Sequence, residues 1–281
     1  MGRARTGDGR LVMDVLTSLP SWEVILFSVM LVALVSVATA VLIRRLIGPG
    51  PRERAGVTAA AYMTAVGSLF AILTGFLISS EYATLKEAQH SVGAEVSAAS
   101  QLAYATGVLP PADAQRLQEN LTAYLDALRS GEWPALAAGA ADRSTAVPAM
   151  RTLQQAVFEV ANRPYVPNAA SGTLQDAVNE LTSNRRQRVV ISTGGLPLPL
   201  FALSVIAGLA LIVNSLLVAA RQGTRYSWVA VGIVLAVALD LGAILSISAP
   251  FNGGFVVSTD PISVLITELQ KGEYLPWVTT R

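Results

Sequence analysis

The sequence predicts an all-α integral membrane protein with four transmembrane helices, arranged as two pairs, and a water-soluble helical bundle inserted between the pairs. Three observations carry that class. Four long apolar runs, Trp22 to Ile43, Ala59 to Ser80, Pro197 to Ala220 and Ser227 to Ala249, are each long enough at about 1.5 Å per residue to cross roughly 30 Å of hydrocarbon. Of the 281 residues 52% are apolar and only 14% charged, and the charges avoid the runs apart from Glu23 and Asp240, a segregation that a soluble core does not require. Between the second and third runs lies a polar stretch of about 115 residues whose apolar positions recur at helical spacing. The implied organisation is an N-terminal tail (1–21), a first transmembrane hairpin (22–80), the soluble bundle (81–195), a second transmembrane hairpin (196–249), and a C-terminal turn with an amphipathic helix (250–281).

The first run has a rival reading as a signal peptide, because Arg3, Arg5 and Arg10 precede it and Ala38-Thr39-Ala40 resembles a cleavage site. Apolar residues continue past that point through Val41, Leu42 and Ile43, well beyond an h-region of about 7 to 15 residues, so a retained span is expected. The natural start is either Met1 or Met13. Without the first twelve residues the leading flank keeps Asp14 and Glu23 and no basic side chain.

Orientation follows from basic residues in the short connections. Arg44, Arg45, Arg52 and Arg54 follow the first run, and Arg221 and Arg225 lie between the third and fourth. Both connections fall on one side of the membrane, which these arginines mark as cytoplasmic. The protein is therefore expected in the plasma membrane, with the bundle and both termini outside the cytoplasm. Arg185, Arg186 and Arg188, just ahead of the third run, argue the other way.

The central stretch reads as four helices. From Glu81 to about Thr106, Leu85, Val92, Val96, Ala99 and Ala103 recur at helical spacing, and Pro110-Pro111 ends the element. A second helix shows Leu117, Leu121, Tyr124 and Leu128 and is expected to stop near Gly131 and Pro134; a third shows Met150, Leu153, Val157 and Val160 and stops before Pro164. The fourth opens around Ser171 to Thr173, carries Leu174, Val178 and Leu181, and ends at Gly194-Gly195. Single apolar stripes require these helices to pack on one another. No breaker separates the second run from the first bundle helix, so one rod of about 48 residues, about 70 Å long, is expected. No repeat of solenoid period is present.

Three segments resemble a family of bacterial membrane proteins sometimes labelled bestrophin-like. They are Gly131-Glu132-Trp133-Pro134-Ala135, Asn184-Arg185-Arg186-Gln187-Arg188 with Gly195-Leu196-Pro197 opening the third run, and Pro250-Phe251-Asn252-Gly253-Gly254-Phe255-Val256-Val257-Ser258. With the two-plus-two layout, the similarity spans about residues 22 to 270. The family pattern carries an acid two positions before the last Pro-Phe, where this chain has Ser248. The bestrophin label implies an oligomeric anion channel with its large domain in the cytoplasm, opposite to the placement that the arginines imply.

Asp240 is the one acid deep inside a span. An ionised carboxylate there costs about 2.5 to 3.5 kcal/mol on insertion scales, so it is expected to face protein or water or to be protonated. Counting helical rise puts Ser28, Thr74 and Ser204 within about one turn of the same depth, a hydroxyl layer around the acid. Asp240, Ser28, Thr74 and Ser204 are thus candidates for an ion or proton pathway; the alternative is a neutral acid hydrogen-bonded across helices. Gly67, Ala71 and Gly75, with Gly232 and Ala236 leading to Asp240, read as close helix packing, with Asn214 as interhelical glue. Thr64, Ser68 and Thr74 beside the first stripe suit water as well.

Arg185, Arg186 and Arg188 are candidates for binding an anion or a lipid headgroup, gathered as a ring if several copies meet. The alternative is pairing with Glu81 and Glu87. His90, the only histidine, is expected at an exposed position of the bundle. After the fourth run, Asn252-Gly253-Gly254 reads as a turn and Asp260-Pro261 as a helix start. Ile262, Leu265, Ile266 and Leu269 then form an apolar face expected to dock on the bundle, since Lys271 alone is too little charge for a membrane-surface helix.

Composition excludes several classes. Net charge is +1, so nucleic acid is not an expected partner. With no Cys and one His, and with no phosphate-binding loop, zinc motif or nucleophile elbow, neither an enzyme, a metal site nor a cofactor is expected. Glu119 and Asp126 read as charges on a solvated helix face. Two functions remain: a homo-oligomeric ion channel or ion-pathway protein, or a non-conducting membrane anchor whose bundle binds a protein partner.

Overall fold

The computed structural model describes residues 21–46, 49–138, 145–222, 224–252 and 255–274. The predicted tail up to residue 20, with the choice between Met1 and Met13, and Gly253-Gly254 of the predicted turn lie outside the described residues. In chain order the elements are α1 (Ser21–Leu46), α2 (Pro49–Ala105), a 3₁₀ turn (Thr106–Val108), α3 (Pro111–Ala127), a π-helical turn (Leu128–Glu132), α4 (Trp133–Ala137), α5 (Ala146–Ala161), α6 (Asn168–Thr193), α7 (Leu198–Gln222), α8 (Thr224–Ile247) and α9 (Asp260–Gln270). No strand occurs among the described residues. Among the described residues four stretches are long and apolar enough to cross a membrane, and the protein is an all-α membrane protein with an inserted helical bundle.

The chain divides into two compact units. The membrane unit holds α1, the first part of α2, α7 and α8. Here α1 packs chiefly against α8, and α8 against α7. Its core joins Phe70, Ala207, Ile212, Val237 and Leu241, with a second cluster of Leu77, Leu196 and Ile244. Glycine sets the approach of α7 at one point. A Cβ on Gly208 would stand 2.9 Å from Val237 Cγ1 and 3.1 Å from the Phe70 ring, so any side chain there would push three helices apart.

The bundle unit is built from the second part of α2, then α3 to α6, with Pro250–Asn252 and α9. Leu117, Leu121, Tyr124 and Leu128 of the second predicted face are buried, as are Leu153, Val157 and Val160 of the third and Leu174 and Leu181 of the fourth. On α2 the predicted Leu85, Val92, Ala99 and Ala103 are buried, and the face they mark holds one charged residue that was not predicted. Ala88, Val92, Glu95, Ala99 and Leu102 are buried, and Val96 is only half-buried, so a carboxylate occupies a core position. α6 starts at Asn168, earlier than predicted, because Pro167 ahead of it fixes φ near the helical value and its missing N–H is not needed there.

The second bundle helix does not stop at Gly131. The π-helical turn carries it on into α4, where Pro134 sits in the first turn. At Gly131 a Cβ would lie 1.8 Å from Thr145 Oγ1, so a larger residue would turn that exposed side chain aside. The C-terminal segment docks on the bundle through the apolar face of α9, with Ile262, Leu265 and Ile266 buried. Gln118 Nε2 donates to Tyr274 O at 2.6 Å and to Thr106 Oγ1 at 2.8 Å, tying that segment to the end of α2.

Candidate functional site

The densest polar arrangement lies inside the bundle. Arg188 of α6 is fully buried, as is Glu132 of the π-helical turn, and Glu95 of α2 is 2% exposed. Arg188 Nε donates to Glu95 Oε2 at 2.8 Å, and Nη2 donates to Glu132 Oε1 at 2.6 Å and Glu95 Oε1 at 3.3 Å. Arg185, one turn earlier on the same face, donates Nη2 and Nε to Glu132 Oε2 at 2.5 and 3.1 Å. The Tyr124 hydroxyl donates to Glu95 Oε1. Two guanidinium groups thus balance two carboxylates, which is what lets four charges leave water.

Electrostatics follow from that balance. Burial alone disfavours the charged guanidinium of Arg188, but Glu95 and Glu132 reverse the effect and hold it above its usual range. Burial, and then the Glu95 charge, push the Tyr124 phenol well above 10.0. Arg188 Nη1 has no hydrogen-bond acceptor. The Trp133 ring centroid lies 5.7 Å from the guanidinium carbon, within cation–π range. Trp133 in turn meets Phe251 edge-on, centroids 5.5 Å apart. The three segments on which the family resemblance rests therefore converge on one cluster.

Sequence reasoning singled out Arg185 and Arg188 but not their partners, which are Glu95 and Glu132 rather than Glu81 and Glu87. The structure places Arg188 where no lipid headgroup reaches it and Arg185 largely covered; Arg186 is the exposed member of the three. Glu87 accepts from Gln187 Nε2 at 3.2 Å instead. The signal for Glu95 was its place in the 3–4 spacing of Ala88, Val92, Ala99 and Leu102.

In the membrane unit, Ser28, Thr74 and Ser204 are all buried. Thr74 Oγ1 donates to Phe70 O at 2.9 Å, and Ser204 Oγ has no partner. Both lie one turn from the contact of Phe70 with Gly208, on the same side of it. Ser28 packs elsewhere, its Cβ 3.4 Å from where a Cβ on Gly242 would stand. Asp240 precedes Gly242 by two residues, about 200° around the helix, so it leaves α8 from nearly the opposite face. It is half-buried, beside the exposed Gly232 and Ala236.

One further face stands out on α2. Thr64, Ser68, Ala71 and Gly75 form an exposed stripe, and nothing lies within 4 Å of a Cβ built on Gly75. The adjoining face carries the exposed Leu69, Ile72 and Phe76. Bulky side chains suit lipid; small and hydroxyl-bearing ones suit a partner helix or water.

An all-α membrane architecture of four spans and an inserted bundle, the bundle cored by this aromatic and charged cluster, defines the class. The Bestrophin-like domain family model matches residues 30–262, and the chain belongs to that family. Two crystal structures of a bacterial Bestrophin homolog from Klebsiella pneumoniae, each carrying one substitution, match with TM-scores of 0.69 and 0.70 at 14% identity. The matches cover 88% of this chain and 99% and 96% of those chains. A crystal structure described as that of a membrane protein matches with a TM-score of 0.66 at 14% identity, covering 88% of this chain and 97% of the other. No curated protein matches by sequence.

Proposed function

We propose that the protein is a homo-oligomeric ion channel in which copies of the chain gather about an axis lined by the Thr64, Ser68, Ala71 and Gly75 face of α2. The observation that carries this reading is that stripe. It is the one exposed membrane-spanning face described above that pairs hydroxyls with an open glycine, while the chain's own bulky apolar residues already supply a lipid face beside it. Family membership supports it too, since the bestrophin label implies an oligomeric anion channel. Asp240 fits as a group at the flank of each subunit, completed by a neighbouring copy or by water. Ser28, Thr74 and Ser204 serve as interior hydroxyls, and Arg186 as the anion-facing arginine of its cluster.

The arrangement in the membrane is inferred from charge. Arg44 and Arg45 end α1 and Arg221 ends α7, which supports a cytoplasmic location for that end and an external one for the bundle. The test of conduction is anion and cation flux in liposomes. Wild-type protein is expected to conduct, and Ser68→Phe and Gly75→Phe to reduce flux by more than tenfold without changing subunit number. Wild-type protein that forms no oligomer and passes no ion would leave the anchor reading, for which the exposed Phe158 on α5 is the candidate contact.

A further inference from the structure

The membrane unit carries a groove of about 330 Å³ between α1, α7 and α8, walled by Ala33, Ala40, Ala219, Ala230 and Val234 and ending at Arg44. Alanine and valine from α1, α7 and α8 make up most of its wall, and Ile43, Leu216, Ser36 and Ser227 complete it. From Ala33 to Arg44 the helix rises roughly 16 Å, so the mean cross-section of the 330 Å³ is about 20 Å². That accommodates one extended hydrocarbon chain at van der Waals contact. A helix about 10 Å across needs roughly four times as much. Val37 and Val231 line the groove yet are 62% and 56% exposed, so it opens sideways, as a site filled from the bilayer must. At its end Arg44 and the next residue, Arg45, are both exposed.

We propose that this groove binds one acyl chain of an anionic phospholipid, with the lipid phosphate held at Arg44. An apolar slot closed by a guanidinium group matches an amphiphile with a negative head, and arginine binds phosphate in a fixed, two-pronged geometry. A zwitterionic lipid offers the same phosphate but adds an ammonium group that an arginine repels. The site stands on the membrane unit alone and is independent of whether the protein conducts.

The test uses the full-length protein, reconstituted in vesicles of equal phosphatidylglycerol and phosphatidylcholine, gently solubilised, and read by native mass spectrometry for retained lipid. Phosphatidylglycerol is expected to be retained about fivefold or more over phosphatidylcholine, the preference that one arginine near the headgroups confers. Arg44→Gln is expected to bring that ratio near one, and Ala40→Leu with Ala219→Leu to remove retained lipid of both kinds at unchanged helical content. Equal retention of the two lipids by the unaltered protein overturns the proposal without any variant. A phosphatidylglycerol preference that survives both Arg44→Gln and the filled groove overturns it too, as does a second copy of the chain occupying the groove, seen as a dimer that filling dissociates.

Discussion

Arg188 lies over the face of Trp133, with 5.7 Å between the guanidinium carbon and the ring centroid, and Phe251 closes on the same indole edge-on. One aromatic side chain of α4 thereby joins α6 and the segment that follows α8. The charges that Arg188 neutralises belong to two further elements, so its loss is felt by the bundle as a whole.

Arg188→Met is expected to destabilise the protein by about 3 to 5 kcal/mol, because Glu95 and Glu132 are left buried without compensation. Arg186→Ala, at an exposed position, is expected to stay within about 0.5 kcal/mol. Denaturant unfolding of the solubilised protein, followed by tryptophan fluorescence, separates the two.

Tyr124 gives a pH dependence. Its phenol sits well above 10.0, so the folded protein keeps a proton that the unfolded chain releases. The stability this provides is complete below about pH 10 and is lost as pH rises from there through the folded-state value. Tyr124→Phe is expected to cost about 1.5 to 3 kcal/mol at neutral pH and to flatten the loss above pH 10. An alkaline profile identical to wild type would assign that loss to other groups.

Gly131→Ala is expected to cost about 0.5 to 1.5 kcal/mol, the cost of turning the exposed Thr145 side chain aside. Thr145 supplies the obstruction, its Oγ1 1.8 Å from the new Cβ. Adding Thr145→Ala is expected to restore most of the loss, and a double-mutant cycle that shows no coupling would contradict the contact.

The absence of cysteine from the sequence makes topology directly measurable. With single cysteines at the exposed Glu119 and Arg45, an impermeant maleimide added to intact cells is expected to label Glu119→Cys and spare Arg45→Cys. The reverse pattern would put the bundle in the cytoplasm, as the bestrophin resemblance implies.

The spans were legible because hydrocarbon tolerates few charges, a constraint that acts residue by residue and leaves Trp22 to Ile43 or Ser227 to Ala249 with little else to be. The faces of α3, α5 and α6 were legible for the related reason that Leu117, Leu153 or Leu181 has one favourable environment. Glu95 was not, since a carboxylate in a core register is tolerable only beside a cation from elsewhere in the chain, and Arg188 is 93 positions away in sequence. The π-helical turn was hidden because Gly131 and Pro134 read locally as breakers. Asp240 and Ser28 agree in depth along their helices, but rise alone does not report rotation, and the two point apart.

The π-helical turn at Leu128–Glu132 makes chain length itself a constraint. Such a turn holds one residue more than its neighbours, and that surplus residue is what aims Glu132 inward. A polypeptide shortened by one position there would stay helical, but everything beyond the deletion would swing by about 100°, leaving Arg185 and Arg188 without their shared acceptor. Relatives that differ freely in side chains along this stretch are therefore expected to agree on its number of residues.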